Sequence, residues 1–285
     1  MSQPRPLTDR DALVRQRARA ALQGPVEFLH DEAAYEIQER LIDVNRTFKS
    51  PAIVTGHPEF WAKIIPEALI VSDEDTLALE PDAHDLVIHA MCLHWANDPV
   101  GQMVQCRRAL KSDGLFIAVF LGGQTLFELR AALSEAEVAL SGGLAPRVAP
   151  MGEIRDLGGL IQRAGLALPV ADSSKRSVSY GSPMALMQDL RAMGEGNALM
   201  DRQKSAPRRD LFTRMARIYS DHYAIDENRI PATFEMIFLT GWAPSETQQK
   251  PLQPGSASIR LADFLNTTEL GPDAKPVKGH EDKKR

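Results

Sequence analysis

The 285 residues are 44% apolar and 25% charged, with a formal net charge of −5, enough apolar material for one sizeable core. Mild acidity argues against nucleic acid as the main partner. No run approaches the roughly 18 apolar residues of a membrane-spanning helix, and no apolar signal core opens the chain, so a cytoplasmic protein is expected.

Residues 10–22 interleave Arg10, Arg15, Arg17 and Arg19 with Leu13, Val14, Ala18, Ala21 and Leu22. This predicts a basic amphipathic helix, its arginines solvated or turned to an acidic partner or membrane headgroups. Ala34, Ile37, Leu41, Val44 and Phe48 mark a second helix over 31–48. A short strand, Ala52–Thr55, runs into Gly56, and Pro58 suits the first turn of a helix near 60–65. Continuous apolar runs predict strands at 68–71, 85–90 and 115–121, with a helix between the last two that stops at Lys111-Ser-Asp-Gly114. Helices follow at 126–140, 154–164, 183–193 and 208–223. Residues 232–242 alternate as a strand, expected antiparallel at the sheet's end. The polar, lysine-rich stretch 266–285 reads as a disordered tail. Cys92 and Cys106 sit in apolar-patterned segments and read as buried thiols. The alternation predicts one α/β domain over 1–265, a mostly parallel sheet covered by helices.

Ligands of such sheets sit beyond the carboxyl ends of the strands. Gly56-His57, Ser72–Asp75, His89–Asn97 and Leu121–Gly123 fall there. Asp73 and Glu74 suit a ribose or amino group, or cap a helix. His94 is a candidate for contact with a substrate, and Trp95 for packing or for covering a planar ligand. His89, His94 and Asp98 do not compose a persuasive metal set. No nucleophile elbow appears.

Asp85-Leu-Val-Ile-His-Ala-Met-Cys-Leu-His-Trp-Ala-Asn-Asp98 with Arg108–Phe116 resembles the fourth and fifth strand region of class I S-adenosylmethionine-dependent methyltransferases, its Leu-His-Trp placed as in the malonyl-ACP O-methyltransferase type. Gly122–Arg130, Val148-Ala-Pro150, Arg155-Asp-Leu-Gly158, Leu190–Asn197 and Pro231–Glu235 are similar to the respiratory complex I assembly factor 5 family. The resemblance covers about residues 8–265. It implies a Rossmann-like methyltransferase fold, S-adenosylmethionine as cofactor, and a respiratory complex I subunit as partner, in which an arginine is hydroxylated. It places Thr55, Gly56, His57, Asp73, Glu74 and His89 toward the cofactor and His94 and Trp95 toward the reacting group.

The sequence departs from that pattern twice. Ile53-Val-Thr-Gly-His-Pro-Glu59 stands where the family carries a glycine-rich turn, and only 17 residues separate Gly56 from Asp73. One strand-helix unit, with its ribose-binding acid, is expected to be missing. Two functions follow: an S-adenosylmethionine enzyme, methyltransferase or related hydroxylase, or a methyltransferase-like scaffold that chaperones a respiratory-complex subunit.

Overall fold

The structure, a computed structural model, describes residues 5–225 and 229–248. Helices α1 (Arg10–Gln23) and α2 (Phe28–Val44) precede the sheet. Then come β1 (Pro51–Thr55), α3 (Pro58–Ile64), β2 (Leu69–Ser72), β3 (His84–Ala90), a 3-10 turn (Leu93–Trp95), α4 (Pro99–Ala109) and β4 (Leu110–Leu121). The second half holds α5 (Phe127–Ser141), α6 (Ile154–Arg163), β5 (Ala167–Tyr180), α7 (Pro183–Ala192), α8 (Arg209–Tyr223) and β6 (Ile230–Trp242). The sheet runs β2-β1-β3-β4-β6-β5. Its first four strands are parallel, and β6 and β5 close it antiparallel.

Each central strand is apolar on both faces, as a sheet covered twice must be. Ile53, Leu86, Ile88, Ile117 and Val119 join α2, α5, α7 and α8 in one core layer. Ala52, Val54, Val87, Phe116 and Ala118 join α4 and α6 in the other. Caps fix the helix starts beside the site. Asp9 accepts from the Ala12 amide, Asp98 from the Gly101 amide, and Pro58 opens α3.

β2 pairs directly with β1, Ala52 opposite Leu69 through Thr55 opposite Ser72. No strand lies between them, so the strand ahead of Asp73 takes the place beside β1. Three expectations change. The long edge strand β5 is absent from the sequence reading, because Ala167–Tyr180 is mostly polar and interrupted by Pro169, where the pairing to β6 slips between Ala167 and Val170. Lys111–Gly114 does not end α4 as a free turn; it lies within β4, with Asp113 at a φ of 60°. Helix α1 buries Leu13, Ala20 and Arg17, while Val14 and Leu22 face outward, so its buried face is not the predicted one. The predicted tail, 266–285, lies outside the described residues. No helix among the described residues is long and apolar enough to cross a membrane.

Candidate functional site

The carboxyl ends of β1 and β2 meet helix α1 rather than open space. Thr55 is buried, and its Oγ1 accepts from the His57 amide at 3.1 Å, which shapes the turn through Gly56. Over that turn lies the Arg17 guanidinium. A methyl group on Gly56 would sit 2.0 Å from Arg17 Nη1 and 2.2 Å from its Cζ. Nη1 donates to both oxygens of Asp73, at 2.9 and 2.8 Å. Arg10 adds a donor to the same carboxylate at 3.1 Å and one to the Asp73 carbonyl at 2.7 Å. Burial alone would raise the pKa of Asp73, but Arg17 and then Arg10 hold it down, to about 2. Asp73 is therefore an anion between two cations.

Outside Arg17 a groove of about 460 Å³ remains, lined by Arg10, Val14, Ala18, Ser72, Glu74 and Phe60 among others. Its volume suits a nucleoside, but its chemistry does not suit S-adenosylmethionine. The sulfonium cation would meet two guanidinium groups, Asp73 is already engaged, and the only glycine of the turn is covered. The residues present do not fit that cofactor in this conformation.

His57 stacks on His30 with ring centroids 4.2 Å apart, and Trp61 Nε1 donates to His30 Nδ1 at 3.2 Å. Burial, then Arg17, lowers the His57 pKa to about 4, and burial, then His57, lowers His30 to about 3. Both are neutral near pH 7. Glu74 is exposed at the groove's rim, its carbonyl accepting from Gln102. His89 is a correction. It is fully buried, bonded to Gln102 Oε1 at 2.6 Å and near the Cys92 sulfur, and it faces the α4 side of the core rather than a ligand. An apolar strand flanked by helices on both faces leaves a histidine at that position only the interior.

The second place is at the end of β3. The 3-10 turn presents His94 and Trp95 to Glu195, a hundred residues further along the chain. His94 Nε2 lies 3.1 Å and Trp95 Nε1 2.7 Å from the same oxygen, Glu195 Oε2. Among the described residues Glu195 Oε1 takes no hydrogen bond. Burial would raise the Glu195 pKa, yet His94 first, then Arg17, bring it down to about 2. The carboxylate is held by the sequence Gly194-Glu195-Gly196 just after α7. Gly194, at a φ of 77°, lets the backbone pass Arg17, and Gly196 lies against the Gln16 amide, where a methyl group would come 2.6 Å from Oε1.

His94, Trp95 and Glu195 line a cavity of about 200 Å³ whose other walls include Leu121, Leu129, Leu133, Met187 and Phe212. Arg147 also lines it, paired to Glu137 at 2.6 Å. The structure thus brings Thr55, Gly56, His57, Asp73 and Glu74 together at one end of the sheet and His94 with Trp95 in a separate cavity. Sequence reasoning missed Arg17 and Glu195. Arg17 sits in a basic helix and looks like surface; an acid between two glycines was the available signal for Glu195.

A family model described as "Methyltransferase domain" matches residues 15–118. The chain is 36% identical over 209 residues to the arginine-hydroxylase NDUFAF5 of Danio rerio and 35% identical over 211 residues to that of Homo sapiens. These alignments cover 73% and 74% of this chain, and 65% and 61% of those proteins' own length. A malonyl-[acyl-carrier protein] O-methyltransferase of Laribacter hongkongensis is 32% identical over 194 residues, covering 68% of this chain and 63% of that one. Among solved structures, the YcgJ protein from Bacillus subtilis has 12% identity and a TM-score of 0.42, covering 69% of this chain and 93% of that one. Over the aligned region the chain is thus similar to the NDUFAF5 relatives and carries a match to the methyltransferase domain, and it spans less than two thirds of those relatives' own length.

Proposed function

We propose that this protein is a cofactor-independent member of its family that binds an arginine side chain of a partner protein, a subunit of respiratory complex I, in the cavity over Glu195. The observation that carries this reading is the Glu195 carboxylate, with one oxygen bonded to His94 and Trp95 and the other free among the described residues at an apolar cavity. Leucine and methionine walls suit the methylenes of an arginine, and a buried anion suits its guanidinium. The relatives are named arginine-hydroxylases, which supports the same substrate class. The closed position over Gly56 favours the scaffold over an S-adenosylmethionine enzyme. The protein works in the cytoplasm in this reading, with the exposed Val14, Arg15, Arg19 and Leu22 of α1 available to a membrane surface.

Titration with an amidated N-acetyl-arginine, against norleucine and lysine analogues, tests it. Arginine is expected to bind more tightly than either, and Glu195→Gln to weaken it by roughly tenfold or more. Equal binding of norleucine, or full binding by Glu195→Gln, sinks the reading. A second reading, group transfer from S-adenosylmethionine, draws on the groove beside Ser72 and Glu74 and requires Arg17 to leave Gly56.

A further inference from the structure

We infer that Arg17 is an internal ligand: its guanidinium occupies the position over Gly56 and Asp73 that a nucleoside would need, and removing it with Arg10 uncovers a latent nucleoside site. Four observations converge. The Arg17 side chain is 9% exposed and forks onto Asp73 through one nitrogen. It lies so close to Gly56 that any side chain there would collide with it. Helix α1 passes close to Gly194 and Gly196 on its far side, where a methyl group on Gly194 would come 3.1 Å from Arg17 Cγ and 3.2 Å from its Cα, and one on Gly196 2.6 Å from the Gln16 side-chain oxygen. Finally, Arg17 Nε and Nη2 are buried with no hydrogen-bond partner. Arg17 therefore keeps two donors that its ion pair with Asp73 does not use.

The glycine at 56 thus has a present role distinct from cofactor approach: it is the flat seat of a guanidinium. The groove of about 460 Å³ outside Arg17 is continuous with that seat through shared lining by Arg17, Gly56 and Asp73. With both arginines gone, Asp73 becomes a free carboxylate at the end of the strand beside β1, able to accept from a pair of ribose hydroxyls.

The probe is S-adenosylhomocysteine, which lacks the sulfonium charge. Calorimetry on the wild type is expected to show no saturable binding at millimolar ligand. Arg10→Ala/Arg17→Ala is expected to bind at least roughly tenfold more tightly than wild type, while Arg15→Ala, an exposed change on the same helix, behaves as wild type. Tight binding by the wild type, or a folded double variant no better than wild type, overturns the inference. Should the double variant not fold, Gly56→Ala decides. An internal ligand requires that this change lower the urea midpoint of the wild type and do so less in an Arg17→Lys background, where no planar group covers the α-carbon; equal losses overturn it. These readouts measure nucleoside binding and urea stability, not arginine binding, so their failure is distinct from a failure of arginine to bind to the wild type over Glu195.

Discussion

Arg17 and Asp73, 56 residues apart, form the buried contact that joins the N-terminal helix to the edge of the sheet, with Nη1 2.9 and 2.8 Å from the two carboxylate oxygens. Both side chains are almost wholly removed from water, at 9% and 4% exposure. Taking one partner away leaves the other charge buried and uncompensated. Asp73→Asn is therefore expected to lower stability by about 3–5 kcal/mol, whereas Arg17→Met/Asp73→Leu costs less than the single change. Urea unfolding of the three proteins checks the order; a single variant as stable as wild type contradicts it.

Acid sensitivity follows from the same region. Burial depresses His30, His57 and His89 from 6.5 to about 3, 4 and 4. The unfolded chain accepts those protons near pH 6.5 and the folded chain refuses them. Stability is thus full above that pH and falls as the pH drops from 6.5 toward 4. Asp73 and Glu195, held at about 2 against ordinary values of 3.8 and 4.5, extend the loss below pH 4.5 as their carboxylates are protonated. Thermal midpoints measured at successive pH values should decline in both windows; a flat profile between pH 7 and 5 would speak against neutral buried histidines.

Much of the fold was legible because its signals are local and strong. The apolar runs at 52–55, 85–90 and 115–121 have no stable place except a doubly covered sheet, and the structure puts β1, β3 and β4 there. The shortness of the chain between Gly56 and Asp73 pointed to a missing strand-helix unit, and the structure seats β2 directly beside β1. β5 was illegible because an edge strand with polar residues and a proline carries no apolar period. At the candidate site, pattern singled out Asp73, His94 and Trp95 but not the residues that contact them. Arg17 and Glu195 reach them from 56 and 100 residues away, and no short-range rule records which arginine of a basic helix turns inward.

The two thiols offer a simpler test. Cys92 and Cys106 are buried, and loss of hydration pushes both well above the ordinary thiol range. An aromatic disulfide reagent should leave the native protein unmodified over minutes and label both residues in denaturant. Rapid native labelling would mean that the layer beneath α4 opens far more readily than its packing allows.

Glu195 can be tested for its structural share separately from binding. Glu195→Gln keeps the shape and one acceptor for Trp95, while Glu195→Ala leaves two buried donors, on His94 and Trp95, unmet. The alanine variant should be less stable than the glutamine variant by about 1–3 kcal/mol, measured by thermal unfolding with matched enthalpies. Equal stabilities would show that the two rings find other acceptors.

The tripeptide Gly194-Glu195-Gly196 touches two elements at once: its glycines carry α1 at Arg17 and Gln16, and its glutamate grips the turn of His94 and Trp95. One three-residue segment therefore touches both places beyond the carboxyl ends of the parallel strands, the Arg17 seat and the turn of His94 and Trp95. Wherever an occupant of the Glu195 cavity changes how firmly the first helix stays docked, reciprocity requires that displacing that helix change the occupant's affinity by the same factor.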